Sequence, residues 1–173
     1  MNSFPKFLLR ILPILALTAP SLEAQSTDGI SVPAVLVRQG TGPWFGYACP
    51  QPYGWYGPYP SGNVTSQGGA TVRVGALGTG VMFIAISFSW GTHTQFAGLQ
   101  GPLLLNPSAY GILEVANAVP LPPLPLGCYP SLGHEFTRTV PLPPGVDFAI
   151  QALVPDVGGT DMIFSAVTVV RVV

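Results

Sequence analysis

Few residues of this chain have side chains suited to catalysis. His93 and His134 are the only histidines among 173 residues. A hydrolytic triad needs a serine held against a histidine that a carboxylate orients. Ser108 and Ser131 are available for that role, but the Gly-x-Ser-x-Gly sequence of a nucleophile elbow does not occur. We therefore predict no catalytic residue and keep a hydrolase with a dispersed histidine-containing site as the second alternative.

The acidic residues suggest metal binding or glycoside cleavage. Asp156 and Asp161 flank Gly158-Gly159 and offer calcium two carboxylates, whereas a calcium site needs six to eight oxygen ligands. His134-Glu135 lacks the second histidine of a zinc-protease helix. Carboxylate pairs for glycoside cleavage would come from Glu114, Glu135, Asp147, Asp156 and Asp161. Because a hairpin with solvated acids is the simpler explanation of the first pair, we predict no metal ion and no cofactor.

One segment is rich in aromatic residues that suit ligand binding. Gly42–Pro60 reads GPWFGYACPQPYGWYGPYP and contains five prolines, which predicts an irregular loop over one end of the core. Flat rings on such a loop suit stacking against neutral sugars, although burial against the core is the alternative. The candidate binding residues are Trp44, Tyr53, Trp55, Tyr56 and Tyr59. The alternative function is therefore a carbohydrate-binding module that uses the aromatic loop 44–59.

The composition excludes one large class of partner. Charged residues make up 8% of the chain and the net charge is −1, against roughly 25% charged residues in an average soluble protein. Lys6 is the only lysine. Since no basic stripe is available to neutralise phosphates, we predict that the protein does not bind nucleic acid.

The element that must position these residues is the uncharged segment Val81–Trp90. Its strict alternation has the two-residue period of a β-strand, with one apolar side formed by Met82, Ile84, Ile86, Phe88 and Trp90. The opposite side begins apolar at Val81 and becomes polar towards Ser89. Thr71–Leu77 alternates in the same way, and Gly78-Thr79-Gly80 between the two segments predicts a β-hairpin.

Further segments have the alternation or the β-rich composition of strands. They are Ile30–Arg38, Tyr110–Ala116 with Leu113 and Val115 on one face, Phe136–Val140, Val146–Val154 and Met162–Val173. Gly91–Ser108 is expected to be a connection, and Asp156–Asp161 a hairpin turn. Many short strands with no convincing helix predict a single all-β domain, an antiparallel β-sandwich of the jelly-roll or Ig-like kind.

The N-terminal segment Met1–Ala24 has the pattern of a secretory signal peptide. Lys6 and Arg10 precede the apolar run Ile11–Ala19, and the small residue Ala24 suits cleavage. The alternative is a membrane anchor, but the apolar run is shorter than the roughly 20 residues of a span. We predict a signal peptide at 1–24, a β-sandwich domain at 25–173, and a secreted or cell-envelope location without a membrane span in the mature chain.

The two cysteines are expected to pair. Cys49 and Cys128 are the only cysteines, and an exported chain matures where thiols oxidise. Closing a loop of about 80 residues would stabilise the fold by on the order of 4 kcal/mol. The alternative is two buried free thiols.

The order of several short motifs resembles a group of small exported bacterial proteins that are abundant as paralogues in planctomycetes. These motifs are Tyr47-Ala48-Cys49-Pro50, the turn around Gly78–Gly80, Leu126-Gly127-Cys128, the proline-led strand at 141–154 before Pro155-Asp156, and the terminal Ser165–Val173. The resemblance covers Tyr47 to Val173. It implies an exported β-domain without established catalytic residues.

Taken together, these patterns favour a non-enzymatic function. We expect an exported β-sandwich that acts as a structural or interaction module at the cell surface or extracellularly. The expected partner is a neutral polysaccharide or another surface protein.

Overall fold

The computed structural model describes residues 31–46, 51–52, 59–124 and 130–173, and no helix occurs among them. Its strands are β1 Ser31–Val32, β2 Val35–Gln39, β3 Phe45–Gly46, β4 Gln51–Pro52, β5 Ser61–Val64, β6 Gly69–Ala76, β7 Val81–Ser87, β8 Trp90–Thr94, β9 Leu103–Leu105, β10 Tyr110–Asn117, β11 Val119–Pro120, β12 Leu132–Thr139, β13 Asp147–Pro155, β14 Met162–Phe164 and β15 Thr168–Val172. The part of the chain that these ranges cover includes no helix long and apolar enough to cross a membrane.

Two sheets form the body of the molecule. The six-stranded sheet has the order β10-β7-β13-β15-β5, with β14 also paired to β13. The five-stranded sheet has the order β11-β12-β6-β2-β3. Within both sheets the strands pair antiparallel except for β5, which runs parallel to β15. The predicted antiparallel β-sandwich is thus confirmed.

The core lies between the two sheets. Strand β13 supplies Phe148, Ile150, Ala152 and Val154 at alternate positions, which confirms the alternation predicted for Val146–Val154. Across the core they meet the inward residues of β2 and β6, which include Val35, Val37, Val72 and Val74. Burying each aliphatic side chain of this size contributes roughly 1.5–3 kcal/mol, so this layer dominates the stability of the fold.

The predicted hairpin between residues 71 and 90 is wrong. Strand β6 pairs with β2 and β12, whereas β7 pairs with β10 and β13, so the Gly-rich turn crosses from one sheet to the other. The Gly78 amide donates to the Pro155 carbonyl at 3.1 Å. A side chain at Gly78 would collide with the Asp156 carbonyl, which explains the glycine at this crossing.

The strand predicted at Val81–Trp90 ends at Ser87. The Ser87 hydroxyl oxygen accepts a hydrogen bond from the Ser89 amide at 3.1 Å, and the chain bends there. Phe88 is consequently exposed and Trp90 begins a different strand, β8. Along the second face of β7, burial runs opposite to polarity. The apolar Val81 and Phe83 are exposed, whereas the polar Ser87 is buried.

Four other predicted boundaries need correction, and one of them is Phe136–Val140, because β12 begins at Leu132 and ends at Thr139. Met162–Val173 divides into β14 and β15, and Ser165 in the break accepts a hydrogen bond from the Ala152 amide through its hydroxyl. Ile30–Arg38 is likewise interrupted, since β1 and β2 flank Pro33. Gly91–Ser108 was expected to be only a connection, but it contains the antiparallel ribbon β8–β9.

Strand β10 is confirmed, but Leu113 and Val115 do not share a face. The register against β7 shifts between Ile112 and Glu114, which marks a β-bulge. Leu113 faces the interior beside Phe148, whereas Val115 lies opposite Phe83 on the outer face. The bulge therefore changes the phase of the alternation within the strand.

The β8–β9 ribbon lies on the outer face of the six-stranded sheet. Leu103 and Leu105 pack there against Ala149 and Val169, in a cluster separate from the main core. Gln151 of β13 fixes this ribbon through its buried side chain. Its Nε2 donates to the carbonyls of Pro102 and Ser165, both at 3.0 Å, and its Oε1 accepts from the Leu104 amide at 2.8 Å.

We predict that Gln151→Leu lowers the free energy of unfolding by about 2–4 kcal/mol. The leucine side chain has a similar volume but makes no hydrogen bonds. The Leu104 amide and the carbonyls of Pro102 and Ser165 therefore lose their bonds to residue 151. Urea unfolding measures the change. Gln95→Leu, at an exposed glutamine near the same ribbon, is the control and should change stability by under about 0.5 kcal/mol. Equal stability of both variants would contradict the role assigned to Gln151.

Candidate functional site

The ribbon covers only part of the outer face, and the uncovered part is apolar. Side chains of β7 and β10 and one ring from the segment between β8 and β9 are exposed there. We call this surface the outer patch, and it consists of Val81, Phe83, Phe96, Tyr110, Ile112 and Val115. Ile112 is 53% exposed. Contiguous exposed apolar surface of this kind is typical of interaction sites.

A groove lies where the outer patch meets the ribbon. It has a volume of about 320 Å³, at the lower end of the range for ligand pockets. Phe83, Ala85, Leu153 and Ile112 belong to its sheet side. Phe96, Leu99 and Phe164 belong to the side near the ribbon, and the Phe96 and Phe164 ring centroids are 6.2 Å apart.

Among the described residues that line the groove, the Tyr110 phenol is the only ionisable group. The other polar side chain is Gln151, whose amide already makes three hydrogen bonds within the protein. The groove can therefore exclude water from an apolar group. It offers few hydrogen bonds to a ligand with many hydroxyls, because each hydroxyl buried without a partner weakens binding.

Two of the predicted aromatic binding residues are described, and they lie on opposite faces of the sandwich. Trp44 precedes β3, and the Arg38 guanidinium lies over its ring at 4.4 Å from the centroid, so one ring face is occupied. Arg38 lies on the outer face of the five-stranded sheet, since Val35 and Val37 of the same strand face the core. Tyr59 packs against the cluster under the β8–β9 ribbon, on the other sheet. These two rings do not form one stacking surface.

Tyr53, Trp55 and Tyr56 lie outside the described residues, as do Cys49 and Cys128. Sugar binding by these rings and the disulfide between the cysteines stay predictions.

The two histidines are far apart in the fold. His93 belongs to β8 on the outer face of the six-stranded sheet. His134 belongs to β12 of the other sheet, where its ring stacks on Phe136 with centroids 5.5 Å apart. One site cannot contain both. Within the described ranges, no group of three or more His, Cys, Asp and Glu side chains could hold a metal ion.

The candidate acidic residues take part in structural contacts. Glu114 pairs with Arg138, Glu135 with Arg73, and Asp147 with Arg171, at 2.5, 3.2 and 3.2 Å. In the hairpin turn, Asp156 accepts hydrogen bonds from the Val157 amide and from Gln100 Nε2. The β13–β14 pairing confirms this predicted hairpin.

Sequence reasoning missed the outer patch and the groove. The available signal was the apolar second face of β7, where Val81 and Phe83 have no charged neighbour along the strand. An apolar strand face of this kind does not by itself indicate a binding surface, because apolar side chains are usually buried. The structure shows that this face of β7 is exposed, because the ribbon lies over a different part of the sheet.

No protein-family model, no curated protein and no solved structure matches this chain. The site is therefore interpreted through its own geometry and chemistry.

Burial raises the pKa of the Tyr59 phenol above its ordinary value of 10.0. The folded state thus favours the neutral phenol, so this contribution to stability is complete below pH 10.0 and is lost as the pH rises through the raised pKa. We predict that wild-type protein loses more stability between about pH 9 and pH 11 than Tyr59→Phe does. Urea unfolding across this range measures the difference, and equal losses would contradict the prediction.

Proposed function

We propose that the protein is an exported, non-enzymatic interaction module that binds an uncharged, apolar segment of another surface protein in the outer groove. The observation that carries the proposal is the outer patch, whose large apolar side chains stay exposed beside a groove of about 320 Å³. The signal-like N-terminus and the motif resemblance support export.

The low charge around the groove favours an apolar partner. No Asp, Glu, Lys or Arg occurs from Val74 to Leu113, the segment that supplies β7, the ribbon and the start of β10. A charged partner segment would lose hydration on entering the groove without gaining an ion pair. An apolar side chain would instead displace water from an apolar lining, which is favourable.

Carbohydrate binding by the aromatic loop is the second candidate. Trp44 and Tyr59 are its described members, and they belong to different outer faces. The candidate therefore depends on Tyr53, Trp55 and Tyr56, which follow one another closely in sequence. Retention on insoluble neutral glycans that is lost in Trp55→Ala, with an unchanged thermal melt, would favour it.

Titration with the uncharged dye Nile red tests the proposed groove. We expect saturable binding to the wild type, and at least about tenfold weaker binding to Ile112→Lys, because the ammonium group enters the apolar lining. Val157→Lys is the matched control, since Val157 is 77% exposed in the β13–β14 turn. It should bind the dye as the wild type does.

Competition identifies the ligand class. The capped tripeptide acetyl-Val-Phe-Val-amide should displace the dye, whereas soluble cello-oligosaccharides should not. Equal dye affinity of wild type and Ile112→Lys, or displacement by the oligosaccharide alone, would overturn the proposal. Turnover of esterase or glycosidase substrates that His134→Ala abolishes would replace it with the hydrolase alternative.

A further inference from the structure

Among the residues that the structure describes, no strand pairs with the outer edge of β10, and this strand is longer than the other terminal strands of the two sheets. Strand β10 has eight residues and no proline, and it forms one end of the six-stranded sheet. The other terminal strands are short: β3 and β11 have two residues each, β11 contains Pro120, and β5 has four residues. A long unpaired edge presents backbone groups that can pair with another strand.

The backbone groups at this edge can be assigned from one hydrogen bond. The Ala118 amide, directly after β10, donates to the Gly80 carbonyl at 2.8 Å. Hydrogen-bonded and non-hydrogen-bonded pairs alternate along an antiparallel ladder. Asn117 and Val115, opposite Val81 and Phe83, are therefore non-bonded pairs, and their amide and carbonyl groups point away from β7.

The side chains along the edge suit a neutral, apolar neighbour. Ile112 and Val115 are each 53% exposed on the outer face. The only charge of the strand, Glu114, lies opposite Ile84 and reaches Arg138 of the other sheet at 2.5 Å. Arg138 neutralises the Glu114 carboxylate on the core-facing side of the sheet. Two identical β10 edges can therefore approach each other without repulsion between their carboxylates.

We propose that β10 pairs antiparallel with β10 of a second copy of this chain, about a two-fold axis at Val115. Each Val115 amide then donates to the carbonyl of the other Val115, which is the self-complementary arrangement that a two-fold axis requires. The dimer goes beyond the proposed binding function. Because the axis is perpendicular to the sheet, the two outer patches lie on one face of a continuous sheet.

The small contact predicts a weak dimer. The bulge between Ile112 and Glu114 limits regular pairing to the C-terminal half of the strand. Interfaces of such limited area belong to weak, transient complexes. We expect a dissociation constant of about 10–100 µM.

Sedimentation velocity across this concentration range tests the dimer. Wild type should shift from monomer to dimer, whereas Val115→Lys and Val115→Glu should each associate about 10- to 100-fold more weakly, because two like charges meet at the axis. An equimolar mixture of the two variants should regain association, since opposite charges then meet. Val157→Lys is the control and should dimerise as the wild type does.

Several outcomes would overturn the dimer. The proposal is contradicted if the wild type stays monomeric at about 1 mM. It is also contradicted if the variants dimerise as tightly as the wild type, or if the mixture of variants regains no association. Nile red titration of the wild type separates this result from the proposed function. If the wild type stays monomeric but binds the dye, only the dimer proposal is contradicted. If it dimerises but does not bind the dye, only the proposed groove function is contradicted.

Discussion

The hydrogen bonds of the Gln151 side chain determine which part of the six-stranded sheet is covered. A neutral amide is 1% exposed on the outer face of a central strand, and it satisfies backbone groups from the ribbon and from the break between β14 and β15. A buried amide without hydrogen-bond partners lowers the stability of the fold. With all its partners in place, it favours one arrangement of the surrounding segments. It holds Leu104 and its neighbours over β13 and leaves β7 and β10 open.

Most charged side chains of the described residues form ion pairs or hydrogen bonds within the sandwich. Glu114 and Arg138 connect the two sheets at the β10 side. Arg73 is 3% exposed on the outer face of the five-stranded sheet, where it donates to Glu135 at 3.2 Å and to the Pro122 carbonyl. A buried guanidinium needs several such partners, because the free-energy cost of its desolvation exceeds the free energy gained from one ion pair. The outer face of the five-stranded sheet therefore holds a buried charge in structural contacts, whereas the β7–β10 part of the other sheet presents an apolar outer surface.

Local alternation predicted the strands well where one face is apolar. Val146–Val154 and Thr71–Leu77 have the inward residues that the pattern indicates. The same pattern does not determine which strand is the neighbour, since Gly78–Gly80 can join adjacent strands or cross between sheets. The bulge at Leu113 and the break at Ser165 depend on contacts with distant residues. The alternation of Val146–Val154 places Gln151 on the face opposite Phe148 and Ile150, as the structure does, but the burial of Gln151 depends on a ribbon about 50 residues earlier.

The most direct test of this account is native-state amide hydrogen exchange at Leu104, whose amide donates to Gln151. If the Gln151 side chain holds the ribbon as part of the sandwich, this amide exchanges only on global unfolding. Its free energy of exchange then lies within about 1 kcal/mol of that of the most protected amides in β13. Exchange of Leu104 through a local opening several kcal/mol below that level would contradict the account.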